Sequence, residues 1–218
     1  MIAALKGIVP EWRTGLKHSN EWELLVAVML SAQCTDKRVN MVTDKLFKKY
    51  QTIYDYARVE QREFEQDIFS TGFYRNKAKN IIAAAQMILN DFAGNVPKTM
   101  CEMVTISGVA RKTANVVLGN AYGIAEGIAV DTHVRRFSIR FDLSDFRDPK
   151  RIERDLMEIV PKGEWLGFNH RLVMYGRLYC PARRHDCNKH PLTLLYPRAA
   201  NIWPKAKPER RMSSAMKA

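Results

Sequence analysis

An amine and a carboxylate are the two groups in this chain whose settings suit chemistry. Lys112 lies in ISGVARKTANVVLGN, residues 106–120, and Asp131 in IAVDTHVRRF, residues 128–137. In the first stretch a hydrophobic segment leads into a tight turn, Ser107-Gly108-Val109-Ala110, and Arg111 opens an apolar run of helical spacing. Lys112 thus falls at a helix N-terminus, where the aligned peptide dipoles disfavour an ammonium ion. Partial burial there would further favour the neutral amine. A neutral amine is a nucleophile that attacks carbon centres to form Schiff bases. The plainer reading is a surface lysine that binds phosphate. Asp131 ends an apolar run where another helix begins. It is either a helix cap or a carboxylate placed to stabilise developing positive charge and move protons.

Helices must hold both groups, and helical periodicity dominates the chain. Residues 21–33 (EWELLVAVMLSAQ) are apolar enough for a core helix, and 35–50 carry Val39, Val42, Leu46 and Phe47 at helical spacing. Residues 77–92 are rich in Ala and Ile and stop before Gly94 and Pro97. Asp148-Pro149 opens KRIERDLMEIV as a cap followed by a first-turn proline should. Residues 164–179 form a further long helix. No alternating strand pattern or internal repeat is present, so the expected fold class is all-α, with nine or ten helices. Within it, residues 99–119 read as helix, hairpin, helix. Gly108 supplies the backbone freedom that the hairpin needs. The N–H groups of the turn and of the next helix's first turn lack intrahelical partners and favour an anion such as a DNA phosphate.

The 218 residues suffice for one large or two small domains, and a net charge of +12 favours a polyanionic partner, nucleic acid before a membrane surface. Residues 198–218 add a basic tail, with Arg198, Lys205, Lys207, Arg210, Arg211 and Lys217 against Glu209 alone. No apolar run reaches the roughly 18 residues of a membrane span. The opening MIAALKGIVPEWR does not read as a signal peptide, so a cytoplasmic, nucleoid-associated protein is expected. In that setting Cys34, Cys101, Cys180 and Cys187 are free thiols or ligands rather than disulfides.

GVARKTANVVL followed by AVDTH, with LSAQCTD upstream and GFYRNKA between, closely resembles the endonuclease III family of DNA glycosylases. The resemblance runs from about Glu21 to Cys187. It implies two helical domains, a six-helix barrel over residues 14–125 and a second over 1–13 and 126–197, flanking a DNA cleft. It implies a monomer that acts on double-stranded DNA carrying a damaged base, an oxidised pyrimidine first, or an abasic site. Such enzymes flip the base out of the stack because its reacting bond is otherwise out of reach. Lys112 matches the family nucleophile, which attacks C1′, displaces the base, forms a Schiff base and cleaves the strand by β-elimination. Asp131 matches the essential aspartate. Gln33 would fill the gap left by the flipped nucleotide, and Phe73 would wedge into the opposite strand. Gly108, Val109, Ala110 and Arg111 would hold the DNA backbone. The rivals are a mismatch or UV-damage glycosylase of the same fold and a non-catalytic DNA-binding module. The pairing of Lys112 with Asp131 argues against the module.

The sequence departs from the family pattern at three places. Phe73 stands where leucine is usual. Ala110 stands where the hairpin usually has its second glycine, so its methyl is expected to restrict the backbone and crowd the phosphate. The family's [4Fe–4S] spacing begins with Cys180 and Cys187, but the next two positions are His190 and Tyr196, and a standard cluster takes four thiolates. The expectation is therefore no cofactor and a loop packed by Pro191, Leu192, Leu195, Tyr196 and Trp203. Zinc on Cys180, Cys187, His190 and His185 is the chemical alternative. The basic residues 181–185 are left to contact DNA backbone.

Overall fold

A computed structural model describes residues 1–202; the basic tail from Trp203 on lies outside the described residues. The fold is all-α, with no strand among the described residues. In chain order the helices are α1 (Ile2–Ile8), α2 (Glu21–Leu30), α3 (Asp36–Lys49), α4 (Ile53–Arg58), α5 (Gln61–Ile68), α6 (Tyr74–Asp91), α7 (Met100–Met103) and α8 (Arg111–Tyr122). They continue with α9 (Thr132–Arg140), α10 (Pro149–Ile159), α11 (Trp165–Leu178) and α12 (Pro191–Leu195). None is long and apolar enough to cross a membrane. The chain divides into two compact units, Thr14–Glu126, and Met1–Arg13 with the residues from Gly127 onward.

The 14–126 unit is built around α2. That helix is apolar on every side, so it has no face to give to water, and Trp22 and Leu24–Leu30 are all buried. Asn20 caps it by accepting from Glu23 N. Helix α3 is amphipathic and buries only Val39, Val42, Thr43 and Leu46. On α6 the small residues Ala78, Ala84 and Ala85 are buried with Ile81 and Ile88, which lets α4 and α5 lie close against it. Trp22 and Tyr56 meet edge-on at 5.3 Å, and Tyr56 meets Phe64 at 5.7 Å, the geometry that ring quadrupoles favour. Gly123, in the left-handed region at φ 67°, ends α8.

In the other unit α9, α10 and α11 bury Val134, Phe137, Ile152, Leu156, Phe168, Leu172 and Tyr175 with Leu5 of α1. Asp148 caps α10 by accepting from Arg151 N, with Pro149 in the first turn. Glu164 fastens α1 to α11: it pairs with Lys6 and, at 3.0 Å, with Arg171 Nη1. Arg171, itself buried, donates from Nε to Val9 O at 3.2 Å. The Lys6 and Arg171 charges hold the Glu164 carboxyl below its ordinary range, Lys6 most strongly.

Two ends differ from the sequence reading in ways that matter for function. Helix α2 stops at Leu30 rather than running to Gln33, which stands beyond it with φ 53°. Helix α6 begins at Tyr74, and the residue before it, Phe73, is left-handed at φ 49°.

Candidate active site

The hairpin begins as α7 unwinds through Val104 and Thr105 and closes with Val109 N donating to Ile106 O at 3.0 Å. Gly108 has φ 75°, a conformation that L side chains rarely adopt. A Cβ there would also meet Asn80 Cβ at 2.8 Å and Met29 Cε at 2.9 Å. Glycine is thus required twice over, by backbone angle and by close approach. Ala110 differs: with φ −88° and ψ 165° it is in ordinary extended backbone. Its methyl therefore imposes no strain on the turn, contrary to the expected restriction. Val109 is buried in the core, so it anchors the hairpin, while Gly108 and Ala110 face outward.

Lys112 is the second residue of α8. No side chain caps this helix and no acid stands in its first turn, whereas Asn20, Thr35 and Thr99 cap their own helices. The first-turn amides thus favour an anion. The side chain of Lys112 is exposed. The partial burial expected from the sequence is absent, and what distinguishes this amine is its place at the helix mouth.

Gln33, Phe73 and Gly108 come together. With Met29, Ala32, Asn76, Lys77 and Asn80 they line one depression of about 200 Å³. Phe73 is 64% exposed, which puts an apolar ring in water. A bulky residue at positive φ is uncommon and is held only by its surroundings.

One of those surroundings is Lys77, which the sequence reading passed over. Its side chain is buried, and Nζ donates to Leu30 O and Thr71 O, both at 2.8 Å. The first carbonyl ends α2, three residues before Gln33; the second stands two residues before Phe73. One ammonium thus clamps the starts of both exposed segments, and burial pushes its pKa below the ordinary value. Nothing in GFYRNKA marks this lysine as buried, because one of its acceptors lies 47 residues away.

Asp131 belongs to the other unit. It caps α9, with Oδ1 accepting from His133 N and Val134 N, both at 2.9 Å. The second carboxylate oxygen takes no part in the cap, so capping and a chemical role are compatible.

Residues 26–162 match the HhH-GPD superfamily of base excision DNA repair proteins. The chain is 47% identical over 199 residues to endonuclease III of Synechocystis sp., covering 91% of each chain. It is 48% identical to endonuclease III of Bacillus subtilis over 85% of each. The chain belongs to the endonuclease III family of the HhH-GPD superfamily. It also resembles a trapped covalent intermediate of endonuclease III with DNA, at 45% identity and a TM-score of 0.84, over 89% of this chain and 91% of that one.

The loop after α11, where family members carry their cluster, corrects the expectation of no cofactor. Cys180, His185, Cys187 and His190 bring one ligand atom each to within 4.8 Å of one another, a set that could hold a metal. Of the expected apolar packing, Leu192 is buried, Leu195 and Tyr196 are 58% and 39% exposed, and Trp203 lies outside the described residues. Cys180 and Cys187 are buried. Tyr196 stays out of the set and accepts from the N-terminal ammonium at 2.9 Å. The four in the set are the residues of the zinc alternative, and the structure brings His185 in as the fourth donor. Residues 181–184 are exposed.

Proposed function

We propose that this protein is a base excision repair DNA glycosylase with AP lyase activity, acting on an oxidised pyrimidine or an abasic site in double-stranded DNA. One observation carries the reading: an exposed lysine at the uncapped mouth of the hairpin's second helix, in a chain 45% identical to an endonuclease III trapped covalently on DNA. In this reading the Gly108 and Ala110 turn and the first amides of α8 receive a backbone phosphate. Gln33 enters the gap left by the flipped nucleotide. Phe73 stacks into the opposite strand and offsets part of the unstacking cost, about a few kcal/mol. Lys112 Nζ then attacks C1′. The C1′–N bond breaks, the base leaves, and the sugar ring opens to an iminium. Loss of a C2′ proton expels the 3′ phosphate. Asp131 supplies the carboxylate that takes up protons and stabilises the cationic sugar. The protein acts as a monomer on chromosomal DNA in the cytoplasm.

Borohydride reduction on a duplex with an abasic site tests the chemistry. Wild type should give a covalent adduct; Lys112→Ala should give none while still binding the duplex, since the hairpin amides are unchanged. An adduct from Lys112→Ala, or none from DNA-bound wild type, would remove Lys112 from the reaction.

A further inference from the structure

The loop between α11 and α12 brings four ligand-type side chains into one small volume, well away in sequence from Lys112 and Asp131. Their donor atoms lie within 4.8 Å of one another, and Cys187 Sγ to His185 Nε2 is 3.4 Å. A tetrahedral ion with metal–sulfur and metal–nitrogen bonds of about 2.3 and 2.0–2.1 Å spaces its donors by roughly 3.3–3.8 Å. One pair is already at that spacing, and the rest need shifts of at most about 1.5 Å. A cluster that binds each donor through a different iron would hold them farther apart.

The surroundings fit ligands rather than inert thiols. His185 Nδ1 donates to Arg183 O at 2.6 Å, which leaves the Nε2 lone pair directed toward Cys187. This is the outer-shell bond that fixes a metal-binding histidine. His190 Nδ1 is buried with no hydrogen-bond partner, a costly state for a neutral side chain unless something occupies it. Arg140, fully buried, donates from Nη1 to Cys180 Sγ at 2.8 Å. Its other nitrogens are held by Ala199 O and Ala200 O. A guanidinium set against sulfur in a buried site suits a thiolate. The backbone is tied as well: Arg136 Nη2 donates to Cys180 O at 2.7 Å, His190 N to Cys187 O at 3.2 Å, and Thr193 Oγ1 to Cys187 O.

We propose that Cys180, His185, Cys187 and His190 bind a single tetrahedral zinc ion that closes this loop. On binding, the two thiols release their protons to solvent and two metal–sulfur and two metal–nitrogen bonds form, with no change of oxidation state. The ion's role is structural, because all four positions are taken by protein.

Metal analysis of untagged protein should find about one zinc per chain. Cobalt(II) added to the stripped protein should give the intense visible absorption of a tetrahedral site, with thiolate charge transfer in the near ultraviolet. Cys187→Ser and His190→Ala should lower zinc occupancy by at least about tenfold, while Cys101→Ser, at an exposed thiol elsewhere, should keep it. Should the loop variants fail to fold, the cobalt titration of wild type decides alone. Iron with acid-labile sulfide in the purified protein, or a cobalt spectrum without tetrahedral bands, would overturn the proposal.

Discussion

Asp131 has two possible duties, and two substitutions separate them. The cap on α9 uses Oδ1 alone, accepting from His133 N and Val134 N. Asparagine carries the same acceptor in the same place and caps helices about as well. Asp131→Asn should therefore lose only the charge–dipole attraction, about 0.3–1 kcal/mol. Asp131→Ala also loses the acceptor, about 1 kcal/mol more. No other acid stands in the first turn of α9 to take over. At about 2–4 °C per kcal/mol for a chain of this size, the alanine variant should melt roughly 2–4 °C below the asparagine one. Chemistry should not follow that order. If the carboxylate moves protons, both variants should lose base excision to a similar degree, about 10²–10⁴-fold, in single-turnover assays at saturating enzyme. Excision by Asp131→Asn at the wild-type rate would reduce Asp131 to a cap. Equal melting of the two variants would refute the assigned capping geometry.

Replacing Lys77 by methionine removes two charged hydrogen bonds and strands the buried carbonyls of Leu30 and Thr71. The loss should be about 2–4 kcal/mol in urea unfolding. Amide exchange should quicken at Gln33 and Phe73; unchanged exchange there would mean that Lys77 does not hold these segments. Glu164 sets a pH dependence. Its carboxyl is held below its ordinary value of 4.5 by Lys6 and then Arg171, so its contribution is present above that value and lost as pH falls through the folded-state pKa. Glu164→Gln should lower the melting temperature at pH 7 and flatten its fall between about pH 5 and 3. An unchanged slope would show that other carboxylates govern that range.

The residue pattern by itself carried the all-α class, the hairpin around Gly108, the helix mouth at Lys112 and the helix start at Asp131. Each of these is local. Apolar spacing, a glycine at a turn and a capping residue act within a few positions, where short-range sterics and hydrogen bonding decide the outcome. The end of α2 was less legible, because the buried ammonium of Lys77, on α6, helps to set it from another helix, and the same ammonium holds Thr71 O ahead of α6. Folding alone showed that Lys112 is exposed rather than half-buried, that Ala110 sits in ordinary extended backbone, and that Phe73 is a left-handed aromatic in solvent. It also drew the four donors of the zinc alternative into one cluster. Arg140, forty residues before Cys180, supports it. Such long-range facts depend on which distant groups compete for the same buried space, and no window along the chain contains both competitors.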